Sequence, residues 1–170
     1  VLNMFDDNDN YHLIFSKSQL EKYKKEIFQA SKAKKKIKIH TVKDHNLGPV
    51  HTALQVKEIN DNEEVIISYC DFLVNWDYKK FKRISKGYDG SIVSFKNFHP
   101  SSFSGTMYCY LKSNNFLISK ISEKKPFTKE PYKEFAATGI HYFNNFKLFK
   151  DSSEKTIKSK LLKKKYKELY

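Results

Sequence analysis

Short apolar runs with strand periodicity alternate with stretches of helical periodicity through the first half of this 170-residue chain, and no other feature restricts the fold as much. The sharpest run is Val65-Ile66-Ile67, three β-branched residues flanked by polar ones. It is too short for a helix and reads as a buried strand. Upstream, residues 11–15 read as a strand entered from the turn-like Asp7-Asn8-Asp9-Asn10. Ser18 is the expected cap of a helix to about Ala30, with Leu20, Tyr23, Ile27 and Phe28 at helical spacing. The lysines of 34–36 read as a solvated turn, 37–41 as a strand, 43–49 as a loop and 51–59 as a helix that Asn60-Asp61-Asn62 ends. A helix over 77–86 follows. Strand, helix and strand in this order predict parallel pairing through right-handed crossovers.

The second half has a different pattern. Strands are predicted near 91–95, 107–111, 116–121 and 136–143, with 112–115 as a hairpin turn. A last helix over 153–168 would place Ile157, Leu161, Leu162 and Leu169 near one face. The expected fold is α/β: an open, mostly parallel sheet with Val65–Ser68 as its central parallel strand and antiparallel strands added to it. The length suits one domain with one core, spanning 1–170.

Charge points away from specific nucleic-acid recognition. The formal net charge is +13, yet Arg83 is the only arginine, and base and phosphate readout favours the arginine fork over the lysine point charge. The lysine excess, with abundant Asn, Ile, Tyr and Phe, reads as compositional bias, and any nucleic-acid binding is expected to be weak and indifferent to sequence. Cys70 and Cys109 are far apart and lack metal-ligand spacing, so neither a disulfide framework nor a zinc site is indicated. No run approaches 18 apolar residues, and the start, Val1-Leu2-Asn3-Met4, has neither a basic nor an apolar leader segment. Membrane insertion is not expected, and a cytoplasmic protein is the default. A first residue other than methionine suggests a start inside a longer reading frame.

Open α/β sheets bind ligands beyond the carboxyl ends of their strands, and Asp71 lies just past Val65–Ser68. A carboxylate there suits magnesium, which takes one or two carboxylates together with substrate phosphates. It also suits a turn or helix cap. Gly48-Pro49 opens a loop into a predicted helix, a place for a nucleotide or for an ordinary turn. Glu123 and Lys124 end a predicted strand ahead of Pro126, as a substrate contact or as a surface ion pair. None of the six histidines has a nucleophile or ligand partner at motif spacing.

Four segments in order, Gly48-Pro49-Val50-His51-Thr52-Ala53-Leu54, Ser68-Tyr69-Cys70-Asp71-Phe72, Ile121-Ser122-Glu123-Lys124-Lys125-Pro126-Phe127 and Ala137-Thr138-Gly139-Ile140-His141-Tyr142-Phe143, resemble the sugar-phosphate nucleotidyltransferase family. The resemblance spans roughly residues 10–150. It implies a Rossmann-like (GT-A-like) nucleotidyltransferase fold, and a reaction in which a nucleoside monophosphate passes from a nucleoside triphosphate to a sugar 1-phosphate or similar phosphorylated small molecule, releasing pyrophosphate. Surface polysaccharide precursor synthesis is the implied setting. Gly48, Pro49 and Thr52 would contact the nucleotide, and Asp71 would hold Mg2+. Glu123, Lys124, Thr138 and Gly139 would face the acceptor. Asp71 and Lys124 would be the catalytic pair, with Asp71, Glu123, Lys124 and Gly139 converging on one cleft.

Two family features have no counterpart. No glycine precedes Gly48, so the glycine-rich triphosphate loop is missing, and no second metal aspartate is evident. The expectation is therefore a partial domain of a longer enzyme, or a degenerate relative with little turnover. A glycosyltransferase would show Asp-x-Asp, whereas Phe72 and Leu73 follow Asp71. A basic, non-catalytic nucleic-acid-binding module is the alternative from another class, and the oligomeric state is not legible.

Overall fold

A computed structural model describes residues 1–97 and 107–159. They form two compact units, one of Val1–Val65, Cys70–Asp89 and the described residues from Phe143 onward, the other of Ile66–Tyr69 and Gly90–Tyr142.

The first unit contains the predicted parallel pair. Strand β1 (Tyr11–Ser16) runs beside β2 (Ile37–Val42) in a register from Tyr11 opposite Ile37 to Ser16 opposite Val42. The connection carries α1 (Lys17–Lys22) and α2 (Lys24–Ser31), so the predicted single helix is broken at Tyr23. Ser16, not Ser18, is the cap: its hydroxyl accepts the Gln19 N–H and the Gln19 side chain accepts the Ser16 N–H, closing a capping box. Lys34 departs from the solvated turn. Its side chain is 4% exposed, ion-paired to Asp7, donating to the Phe5 carbonyl and lying over the Tyr11 ring, which satisfies a charge that burial would otherwise penalise.

Helix α3 (Pro49–Ala53) starts before and stops short of the predicted 51–59. Proline sets its first turn, and the next N–H groups, of Gln55 and Val56, bond three residues back, which tightens and ends it. Helix α4 (Tyr78–Ser85) is capped by Asp77 and α5 (Phe146–Lys158) by Asn145. The predicted last helix thus begins earlier than expected, and its segment 160–168, with Leu161 and Leu162, as well as Leu169, lies outside the described residues. Met4, Tyr11, Ile27, Val42, Val56, Phe146 and Phe149 are buried in this unit. The Trp76 indole donates to the Met4 carbonyl at 3.0 Å.

The second unit is built on a five-stranded sheet: β3 (Val65–Ser68), β7 (Phe135–Phe143), β5 (Cys109–Asn114) and β6 (Leu117–Glu123) in that order, with β4 (Gly90–Phe95) pairing to β7. The β5–β6 and β5–β7 ladders are antiparallel. Tyr110, Leu111, Ala136, Ala137, Ile140 and Tyr142 are buried apolar side chains of this unit. The expected open, mostly parallel sheet is therefore corrected to a parallel two-stranded sheet and a five-stranded sheet with antiparallel ladders. Parallel pairing needs a long crossover, which α1 and α2 supply between β1 and β2, whereas β5 and β6 are joined by two residues and can only run antiparallel. Val65–Ser68 stands first in the strand order, not at its centre, and is half-buried throughout. A β-branched run specifies extended backbone, not a place in the sheet.

The β5–β6 turn is Asn115-Phe116, with φ of 47° and 66°, the pattern of a type I′ hairpin. A bulge opposite Lys112 and Ser113 leaves Ser119 out of register, its hydroxyl donating to the Lys112 carbonyl. Bulge and Lys120 together protect the outer edge of β6, where Leu117, Ile118 and Ile121 are exposed. Among the described residues no helix is long and apolar enough to cross a membrane.

Candidate functional site

The first unit holds Gly48, Pro49, Thr52 and Asp71; the second holds Glu123, Lys124, Thr138 and Gly139.

Gly48 adopts φ 89° and ψ 172°, a region essentially reserved for glycine, and so turns the chain from the loop into α3. Around it runs a closed set of hydrogen bonds. The Leu47 N–H donates to His45 Nδ1 at 3.2 Å. His45 Nε2 lies 3.3 Å from Thr52 Oγ1, and that hydroxyl donates to the Gly48 carbonyl at 3.3 Å. The His51 ring meets the His45 ring edge-on, 4.9 Å between centroids. Gly48, Pro49 and Thr52 are thus brought together as one local structure. His45 joins them without having been singled out from the sequence. The available signal was a histidine two residues before Leu47 in a loop ending in Gly48-Pro49.

Asp71 is exposed and lies in a segment without regular structure that joins β3 to α4. Among the described residues, its carboxylate takes no hydrogen bond or ion pair. No group of three or more His, Cys, Asp or Glu residues among the described residues is placed to hold a metal ion. A single open carboxylate nevertheless fits magnesium, which keeps much of its water and completes its shell with substrate phosphates.

In the second unit, Glu123 ends β6 opposite Cys109. Burial first, and then the charge and hydrogen bond of Glu123, push the Cys109 thiol up to about 12. Lys124 follows in a left-handed conformation, φ 56°, its N–H donating to the Tyr108 carbonyl at 2.9 Å. A lysine held there turns the chain sharply out of β6, at a cost in backbone strain of the kind found at binding sites. Thr138 donates its hydroxyl to the Val93 carbonyl at 3.0 Å, so toward any other group it acts only as an acceptor. Gly139 is buried at φ 89° and accepts from the Tyr69 N–H at 3.3 Å, an irregularity that only glycine tolerates in the middle of β7.

A cleft of about 350 Å³ in this unit, lined among others by Lys112, Ser119, Phe127, Thr128 and Glu134, includes none of the predicted site residues. Although partial burial opposes it, hydrogen bonds from Phe127 and Thr128 hold the Glu134 carboxyl below its usual range. That carboxylate braces the 127–134 turn.

No family model matches the chain, and no curated protein matches it. Among solved structures, it is similar to the nucleoside-diphosphate-sugar pyrophosphorylase from Vibrio cholerae RC9, with a TM-score of 0.71 and 13% identity over 99% of this chain and 68% of that one. The likeness is one of fold, an α/β architecture shared over nearly the whole chain.

Proposed function

We propose that this chain is a nucleotidyltransferase domain that transfers a nucleoside monophosphate from a nucleoside triphosphate to a phosphorylated small molecule of the sugar 1-phosphate class, with release of pyrophosphate. The observation that carries the reading is the fold likeness to a sugar pyrophosphorylase over 99% of the chain. The ordered segments around Gly48, Asp71, Glu123 and Gly139 support it.

A phosphate oxygen of the acceptor attacks the α-phosphorus in line. The new O–P bond forms as the bond from the α-phosphorus to the bridging oxygen breaks, and pyrophosphate leaves with that electron pair. No covalent enzyme intermediate is required, so the residues contribute positioning and charge neutralisation. Gly48, Pro49 and Thr52 shape the loop against base and ribose. Lys124 neutralises the acceptor phosphate, Glu123 accepts hydrogen bonds from acceptor hydroxyls, and Gly139 lets substrate approach the backbone. Asp71 would hold a magnesium ion, whose chemistry there is to offset phosphate charge.

The test is a pyrophosphate-release assay on the protein encoded by the full reading frame, run with magnesium across nucleoside triphosphates and phosphorylated acceptors. A nucleotide-linked product accompanied by equimolar pyrophosphate is expected. Absence of product with every combination would overturn the reading.

A further inference from the structure

We infer that His45 is a positioning residue for the nucleotide-binding loop, acting through Thr52 to hold the Gly48-Pro49 turn in its binding conformation. The inference rests on the nucleotidyltransferase reading and extends it to a residue that touches no substrate.

The hydrogen-bond directions leave one arrangement. A backbone N–H can only donate, so His45 Nδ1, 3.2 Å from the Leu47 nitrogen, is an acceptor and carries no proton. In the neutral ring the proton then sits on Nε2, which donates to Thr52 Oγ1 at 3.3 Å. Since Thr52 Oγ1 accepts from His45, its own proton is free to go to the Gly48 carbonyl, 3.3 Å away. Leu47 N–H, imidazole, hydroxyl and Gly48 carbonyl form a single relay in which every donor meets an acceptor.

The relay spans a residue whose backbone conformation only glycine readily adopts. Gly48, at φ 89° and ψ 172°, has the widest conformational choice in the free chain and therefore the most to lose on ordering. Side-chain bridges from both directions remove that freedom: His45 fixes the segment before it through Leu47, and Thr52 fixes its carbonyl from the first turn of α3. The edge-on His51 ring limits rotation of the His45 ring. Each of these bonds is long for its type and individually modest. Their effect comes from acting in series, so removing either side chain releases the same loop.

Series action has a distinctive kinetic signature. His45→Ala and Thr52→Val should each raise KM for the nucleoside triphosphate by about tenfold, with KM for the acceptor changed little and kcat by less than about threefold. The double variant should be no worse than the poorer single one, because both break one relay. His45→Gln, whose amide oxygen can accept from the Leu47 N–H while its nitrogen donates to Thr52 in place of Nε2, should recover most of the nucleotide KM. Nitrogen-15 NMR of the wild-type protein should show His45 protonated on Nε2. The measurements use the full reading frame and the pyrophosphate-release assay, with thermal melting to show that each variant folds. If the wild type turns over while both single variants keep the wild-type nucleotide KM, or if their effects multiply, the positioning role is overturned and the nucleotidyltransferase reading stands. If the wild type releases no pyrophosphate with any substrate, both fall together.

Discussion

His12 Nδ1 lies 2.8 Å from His40 Nε2, on neighbouring strands β1 and β2, with the rings nearly parallel. One proton fits between the two nitrogens, so one ring donates and the other accepts. Burial first, then the charge of His40 and of Lys38, lowers the His12 pKa from 6.5, against the opposing carboxylates of Glu58 and Glu63. Because the folded pKa lies below the unfolded one, the unfolded chain takes up the proton more readily. The stabilisation is complete above the unfolded value and is lost as pH falls through 6.5 toward the lower folded value. Burial depresses His141 with the same sign. Urea midpoints should therefore fall between pH 7.5 and 5.5, and His12→Gln should flatten that fall. An unchanged slope in the variant would remove His12 as its source.

Cys109 and Cys70 should differ sharply toward alkylation. Cys70 is exposed, whereas Cys109 is raised from 9.0 to about 12 by burial and by Glu123. At pH 8 that shift leaves roughly 10³-fold less thiolate at Cys109 than in a thiol of ordinary pKa. Native iodoacetamide labelling read by mass spectrometry should modify Cys70 first, with the two equalised in urea. Glu123→Gln should speed labelling of Cys109. Equal native rates would show that Glu123 and Cys109 are not the partners described.

The parts of this molecule legible from its residues are those set by local chemistry. Periodicity located β1, β2, β3, β4, β7 and α4 to within a few residues, because strand and helix patterns are local. The sheet order was not legible: Val65-Ile66-Ile67 demands extended backbone, and nothing in those residues says which neighbour it pairs with. The cap of α1 moved from Ser18 to Ser16 because Gln19 selects the serine three residues before it, a pairing rule rather than a composition rule. Lys34 is not solvated as its lysine-rich run implies, because its partner Asp7 is distant in sequence. At the candidate site, Gly48 was legible as a glycine that a turn would need, and it has positive φ. His45 was not, since its importance lies in which way each hydrogen bond points.

Phe116 occupies the second position of the β5–β6 turn at φ 66° and is 85% exposed. A bulky L-residue there costs about 1–2 kcal/mol in backbone energy, while Asn-Gly is the sequence a type I′ turn favours. Glycine's larger entropy in the unfolded chain cancels part of the gain. Phe116→Gly should therefore stabilise the protein by about 0.5–1 kcal/mol in urea unfolding and lower its tendency to aggregate. A destabilised variant would mean that the exposed ring makes contacts that outweigh the strain.

Asp71→Asn and Lys124→Ala should separate the two ends of the proposed reaction. Asp71 offers an open carboxylate with no protein partner among the described residues, so replacing it with the isosteric amide removes one negative charge and disturbs no contact. If that charge holds the metal, turnover should fall by on the order of 10²-fold or more, and higher magnesium should restore part of it. Thermal stability should stay near wild type, because an exposed, unpaired aspartate contributes little to folding. Lys124 should behave differently. Its ammonium is assigned to the acceptor phosphate, so Lys124→Ala should raise KM for the acceptor far more than KM for the nucleoside triphosphate. Its left-handed backbone, φ 56°, makes Lys124→Gly the informative companion, since glycine relieves the strain while still removing the charge. If the two Lys124 variants share the acceptor defect, charge is the cause; if Lys124→Gly alone recovers activity, the backbone turn is. Steady-state kinetics with both substrates varied would decide, and an Asp71→Asn enzyme of undiminished turnover would remove the metal role.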